Sequence, residues 1–115
     1  MQNKTQRLAC IDIGSNAIKY RQYRISKQKS TNFTELDTFK RISVRLGTDA
    51  FKFKKISSET EQKLLKSIMK LKVKADKKDV KIITGVATSA MRTASNGHKI
   101  LSLIHISEPT RRCYI

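Results

Sequence analysis

The chain has no tryptophan, only 9 acidic residues, two cysteines far apart, and no apolar run long enough to span a bilayer. Each shortage excludes something. The N-terminal MQNKTQRL lacks the apolar core of a signal peptide. Two distant cysteines, with Cys10 inside a strongly apolar segment, make no disulfide framework, so the expectation is no disulfide and a cytoplasmic location. His98 has no partners at metal-ligand spacing and receives no role. The shortage of acids against 25 Lys+Arg leaves a net charge of +16. That balance favours polyanionic partners (nucleic acid, polyphosphate, nucleotides or an anionic membrane) without choosing among them. The lysine row Lys63, Lys66, Lys70, Lys74 and Lys77 has no interleaved aromatics, and the chain shows no aromatic stacking platform or known nucleic-acid motif. At 115 residues and 38% apolar content the chain supports one small core, in one domain or a piece of a larger one.

What is present is a strand pattern followed by a helix pattern. Arg7–Ile13 is nearly continuously apolar and predicts a buried central strand. Ala17–Ile25 alternates, with Ile18, Tyr20, Gln22 and Arg24 on one face and Lys19, Arg21, Tyr23 and Ile25 on the other. Ser26–Asn32 is polar and predicts a loop. Phe33–Leu46 holds a third strand, in which Leu36, Ile42, Val44 and Leu46 share a parity. Strand, tight turn, strand, loop, strand predicts an antiparallel meander. Gly47–Lys55 then reads as a connection. A helix opens at SSET, with Ser58 and Glu61 at capping-box spacing and Ile56 as a staple. It runs to about Ala75. Leu64, Ile68, Leu71 and Ala75 form its apolar stripe, widened by Leu65 and Met69, and Lys63, Lys66, Lys70, Lys74 and Lys77 lie opposite. Val80–Val86 predicts a fourth strand, parallel to its neighbour because a helix leads to it. A second helix starts after it, N-capped by Thr88 or Ser89, and Asn96-Gly97 breaks or re-aims it.

Three constellations carry chemistry. In Asp12-Ile13-Gly14-Ser15-Asn16, the glycine lets a ligand approach the backbone. Successive N–H groups form an anion nest, Ser15 and Asn16 add side-chain donors, and Asp12 could hold a divalent cation. Taken alone these five residues fit an ordinary hairpin turn at least as well. In VATSAMRTASNG, a strand running into a helix at Thr88-Ser89 presents free N–H groups, with Arg92 one turn in and able to fork onto phosphate oxygens. Taken alone, a plain cap with a solvated arginine fits this segment somewhat better. The lysine row on the helix could track a polyanion, but it lies opposite the core and reads as a solvated face.

Leu101–Arg111, LSLIHISEPTR, reads as the translation of a transposon-end adapter from sequencing-library preparation. Residues 101–115 are therefore expected to be a non-native tail. The natural reading frame is expected to continue beyond Ile100.

IDIGSNAIK, RLGTDAF, the IS that opens a helix, and VATSAMRTASNG follow one another in this order over nearly all of residues 7–100. The ordered set resembles the N-terminal lobe of the exopolyphosphatase / guanosine pentaphosphate phosphohydrolase (Ppx/GppA) family. The resemblance implies an α/β actin-like (ribonuclease-H-like) fold, of which residues 1–100 would supply part of the first lobe: the meander, a helix, the parallel strand and the start of a second helix. It implies release of terminal phosphate from polyphosphate or guanosine pentaphosphate with Mg2+. No membrane or nucleic-acid partner is expected, and a homodimeric parent is left open. Carried over by position, Gly14, Ser15, Asn16 and Arg92 match phosphate-binding positions, Asp12 the metal position, and Ser89 and Asn96 structural ones. The family's general-base glutamate and second glycine-rich loop would lie beyond Ile100, so no glutamate here is assigned that role and the chain itself is expected to be inactive. The charged second strand and a KFKKIS without glycine depart from the family pattern. The alternatives are a non-enzymatic basic nucleic-acid-binding module and a kinase of the actin superfamily.

Overall fold

β1 (Thr5–Ile13) is the strand on which the sheet is built. In a computed structural model, which describes residues 5–26, 32–106 and 112–114, it pairs antiparallel with β2 (Ala17–Ser26), and β2 pairs antiparallel with β3 (Asn32–Ser43). On its other side β1 pairs in parallel with β4 (Ile82–Ala87). The three-stranded meander and the parallel fourth strand are both as the periodicity predicts. The predicted 26–32 loop lies largely outside the described residues; Ser26 and Asn32 end strands. A short β5 (Arg112–Tyr114) lies parallel to β4, giving the sheet order β3-β2-β1-β4-β5. Ala9, Ile11 and Ile13 of β1, Ile18, Tyr20 and Gln22 of β2 and Ile83 of β4 are buried, so one face of the sheet carries the core. The opposite face holds Cys10, Asp12, Lys19, Arg21 and Val86, the last 59% exposed.

The helices supply the other layer. α1 (Leu46–Phe53) stands where a connection is predicted. Its eight residues are too few for periodicity to announce it, but Leu46 and Ala50 share an i, i+4 face and both are fully buried. α2 (Ser58–Lys77) is capped one residue earlier than predicted: the Ser57 hydroxyl accepts from Thr60 N–H at 3.2 Å. With Ser57 as the cap, the fourth helical residue is Glu61, so Ile56 staples nothing and is buried in the core instead. Leu64, Ile68, Leu71 and Ala75 are buried as predicted, but Met69 is 59% exposed. At 100° per residue it sits about 130° from the centre of the stripe, too far round to reach the core. Lys72, about 70° off the centre, is buried, and its Nζ donates to Ile104 O at 2.7 Å. α3 (Ser89–Thr93) follows β4, and Gly97 opens α4 (Gly97–Ile106). A Cβ at Gly97 would lie 1.9 Å from Met91 O, so only glycine fits this crossing. α4 runs unbroken across the Leu101 boundary drawn above and buries Ile104.

The α1–α2 connection is held by local hydrogen bonds at a backbone cost. Lys54 ends α1 in the left-handed region, φ 59°, with its N–H on Ala50 O. This is the place where KFKKIS lacks a glycine. Left-handed backbone costs a β-carbon-bearing residue about 1–2 kcal/mol. Asp49 Oδ2 accepts from Ser57 N–H at 2.9 Å, and this bond above all holds its carboxyl below its ordinary 3.8.

Lys54→Gly should therefore raise stability by about 1 kcal/mol, read as a higher urea midpoint at unchanged m. The Asp49 contribution has the opposite kind of signature. A carboxyl whose folded pKa is depressed stabilises above its ordinary value and loses that contribution as pH falls through the folded value. The stability gap between wild type and Asp49→Asn should narrow as pH drops below 3.8. A gap independent of pH would show that the carboxylate charge contributes nothing.

Candidate functional site

The end of β1 is where the chemistry-bearing segments meet. Register pairs Ile13 with Ala87, so the β1–β2 turn and the β4–α3 junction lie side by side. Ile13 O accepts twice from Thr88, from its N–H at 3.2 Å and its hydroxyl at 3.3 Å. The Thr88 hydroxyl is thus spent on β1, and α3 has no side-chain cap. From the other side α1 reaches the turn: Gly47 N–H donates to Ser15 O at 2.8 Å. The turn between the first two strands is pinned by two separate elements.

Each residue singled out by sequence has a definite place. Asp12 faces away from the core, yet its Oδ1 is buried and has no hydrogen-bond partner among the described residues. The Gly14 N–H is engaged, donating to Ala17 O at 3.1 Å. Among the described residues no acceptor takes the Ser15 or the Asn16 N–H, and Asn16 is exposed. Arg92 is exposed on α3, one turn after the Thr88 that bonds to β1. Ser89 is exposed at the first position of α3. Asn96 lies elsewhere: its Oδ1 accepts from Ile56 N–H at 3.0 Å, and its Nδ2 donates to Ile56 O at 2.9 Å. It is a side-chain rung that ties the α3–α4 link to the entry of α2. Cys10, on the outer face two residues before Asp12, is a free thiol whose pKa is pushed up by burial, which disfavours the thiolate.

Sequence reading missed two contributors. Thr88, one of the two expected caps, stands at the N-cap position of α3, but its hydroxyl straps onto Ile13 O instead of capping the helix. Gly47, inside the RLGTDAF string, was placed in a connection and is the donor to the turn. The signal that could have found the second is the glycine itself, since a small residue at the start of an i, i+4 apolar pair marks a close approach. Clefts open on the surface in several places, among them one lined by Phe53, Ile56, Ser57, Glu61, Asn96 and Lys99, between the α1–α2 connection and the α3–α4 link. Another, lined by Gln6, Arg7, Lys77, Lys78, Asp79 and Lys81, is at the opposite end of β1. There the Arg7 guanidinium donates to Lys78 O, and Lys81 pairs with Asp79 at 3.0 Å. Among the described residues no group of three or more His, Cys, Asp or Glu could by itself hold a metal ion, and no helix is long and apolar enough to cross a membrane.

Mixed α/β with a meander, a parallel fourth strand and helices on the core face is the architecture of an actin-like lobe. No protein-family model and no curated protein sequence matches the chain. Solved structures do. A Ppx/GppA family member from Aquifex aeolicus superposes with a TM-score of 0.80 at 22% identity, over 96% of this chain and 34% of that one. An exopolyphosphatase from Cytophaga hutchinsonii gives 0.78 at 24% identity, over 94% and 33%. An exopolyphosphatase-like protein gives 0.80 at 22%, over 97% and 33%. The chain therefore has the fold of one lobe of the Ppx/GppA proteins and spans about a third of the length of the structures it matches.

The Asn96 clamp makes a prediction separable from any ligand. Asn96→Ala strips two hydrogen bonds and leaves the Ile56 N–H and C=O without that partner, in a half-buried place. It should cost about 2 kcal/mol in urea unfolding. A loss below about 0.5 kcal/mol would mean that water replaces the clamp.

Proposed function

We propose that this chain is part of a phosphoanhydride hydrolase releasing terminal phosphate from inorganic polyphosphate or guanosine pentaphosphate. The observation that carries the reading is the meeting of Asp12–Asn16 and Thr88–Arg92 at one sheet end, on a fold shared with solved exopolyphosphatases. The Ser15 and Asn16 amides are donors without an internal acceptor among the described residues, as a phosphoryl oxygen requires. Gly14 contributes differently from the other two. Its own N–H closes the turn, and the absence of a side chain leaves space beside the Asp12 carboxylate, 3.9 Å from where a Cβ would stand. The Arg92 guanidinium adds a planar fork for phosphate oxygens.

A buried carboxylate oxygen without a donor is costly unless a cation or ligand satisfies it. Asp12 Oδ1 fits Mg2+ in that respect. A single carboxylate suffices, because Mg2+ is commonly held by one or two carboxylates with substrate phosphates and water completing its shell. Bound there, the cation would neutralise charge on the phosphoryl oxygens. The protein's own share is to hold the terminal phosphate by Ser15, Asn16 and Arg92 and to place fixed dipoles where negative charge builds up. The general base is assigned to chain outside residues 1–100, with 101–115 read as a non-native tail.

The reading separates binding from turnover. The chain should bind tripolyphosphate and release no phosphate from it. Arg92→Ala should weaken binding by about tenfold, roughly 1.4 kcal/mol, in calorimetric titration at an unchanged urea midpoint. Undiminished binding would remove Arg92 from the site, and hydrolysis by the 115-residue chain would show that a base is already present. RNA binding that ignores Arg92 but collapses when Lys63, Lys66, Lys70 and Lys74 become Gln would favour the nucleic-acid module instead.

A further inference from the structure

Gly47 is the second residue of α1, and its N–H is one of the first-turn donors that a helix cannot satisfy internally. No side chain caps this helix; the preceding Leu46 N–H turns back to Val44 O at 2.9 Å. The Gly47 donor leaves the helix altogether and takes Ser15 O at 2.8 Å. That carbonyl shares a peptide plane with the Asn16 N–H. Among the described residues no peptide bond is cis, so within this plane C=O and N–H point in opposite directions. Fixing Ser15 O onto α1 therefore fixes the Asn16 N–H pointing away from α1, on an exposed residue, with no acceptor among the described residues. The approach leaves no room for a larger residue. A Cβ at Gly47 would stand 3.1 Å from Ser15 Cβ, 3.2 Å from the Phe51 ring and 3.3 Å from Ser15 O.

We infer that Gly47 is a positioning residue for the anion site: through Ser15 O it holds the Asn16 amide outward before any ligand arrives. The inference rests on the phosphate reading of the turn given above and adds the device that preorganises it. A free turn peptide can flip, and a flipped plane would present the Ser15 carbonyl oxygen to an incoming phosphate and repel it. With the carbonyl tethered, the flipped state loses a hydrogen bond, so no reorientation is left for the ligand to drive. In Gly47→Ala the methyl group forces the turn off the helix by a few tenths of an ångström, and the tether weakens while Ala50 and Leu46 keep α1 in the core.

The test is amide NMR on the full 115-residue chain with tripolyphosphate as the probe. In wild type, a scalar coupling across the Gly47 N–H···O=C Ser15 bond should be present, and the Asn16 amide resonance should shift on titration. In Gly47→Ala the coupling should vanish and affinity should fall about tenfold, with the Asn16 response reduced far more than that of the Arg92 side chain. A merely structural role would weaken both responses alike and overturns the inference, as does an Asn16 response retained after the coupling is lost. A wild-type Asn16 amide that does not respond to tripolyphosphate overturns the phosphate reading itself, and the inference with it. If Gly47→Ala does not fold, the wild type decides. Residual dipolar couplings that give the same Asn16 N–H direction with and without tripolyphosphate support preorganisation, and a reorientation on binding refutes it.

Discussion

The parallel pairing of β1 with β4 is the constraint on which the rest depends. Residues 13 and 88 are separated by 75 positions, and nothing local would bring them together. The chain must leave β3, lay down α1 and α2 across the core face and return in the same direction as β1. Once it does, the register Ile13–Ala87 fixes which residues share the sheet end, and the double bond from Thr88 to Ile13 O locks it. Slipping that register by one residue would turn Ile83 out of the core and carry the β4–α3 junction away from the turn. Site geometry and core packing are therefore not independent here, since the same pairing specifies both.

The sheet was legible in the sequence because its signal is period-two burial, and β2 shows it even through four cationic or polar residues. Ile18, Tyr20 and Gln22 are fully buried, while Lys19 and Arg21 are exposed. Of the charged residues that depart from the family pattern, Lys19 and Arg21 lie on the outer face, while Arg24 shares the parity of the core face and is exposed beyond Gln22. On the outer face Arg21 stacks on the Phe39 ring at 4.9 Å, a use for an arginine that strand periodicity cannot show. What was not legible has short range or depends on three dimensions. α1 is too short to show a helical period. Lys72 falls on the edge of a stripe, where the sequence gives no reason for burial and the Ile104 carbonyl supplies one. Asn96 was assigned a structural place by its motif, yet its partner Ile56 is 40 residues away, so the clamp itself could not be inferred. In the candidate site the residues can be named from the sequence but the straps cannot: Gly47 acts through a backbone N–H that almost every residue possesses, and Thr88 through its own N–H and a hydroxyl that its position offers equally to a helix cap.

The charge of +16 turns out to be a weak guide to the site. Much of it is spent on solvent or on local structure. Lys63, Lys66, Lys70 and Lys77 are exposed on the back of α2. Lys74 and Lys77 sit in the last turn of that helix, where cations offset the dipole, and the Arg7 guanidinium bonds to the carbonyl of its C-cap, Lys78. A cleft at this end looks basic, but Lys77 and Lys78 in its lining end α2, and the negative end of a helix dipole disfavours an anion. The opposite sheet end brings the exposed Arg92 and the Asp12 carboxylate to the Ser15 and Asn16 amides. What sets this arrangement apart is its directed donors, which a merely basic surface lacks.

A turn held in this way has an asymmetry with consequences for chemistry. On the proposed reading, its amides and Arg92 grip the oxygens on one side of a terminal phosphate. Binding needs only that grip. In-line displacement needs the attacking water fixed opposite the leaving oxygen as well, and fixing a second reactant accounts for several kcal/mol of a typical barrier reduction. On the proposed reading, this chain, which spans about a third of the matched structures, meets the first requirement at the β1–β2 turn. Holding that turn from α1 and α3 then removes reorganisation from the side of the phosphate that it grips.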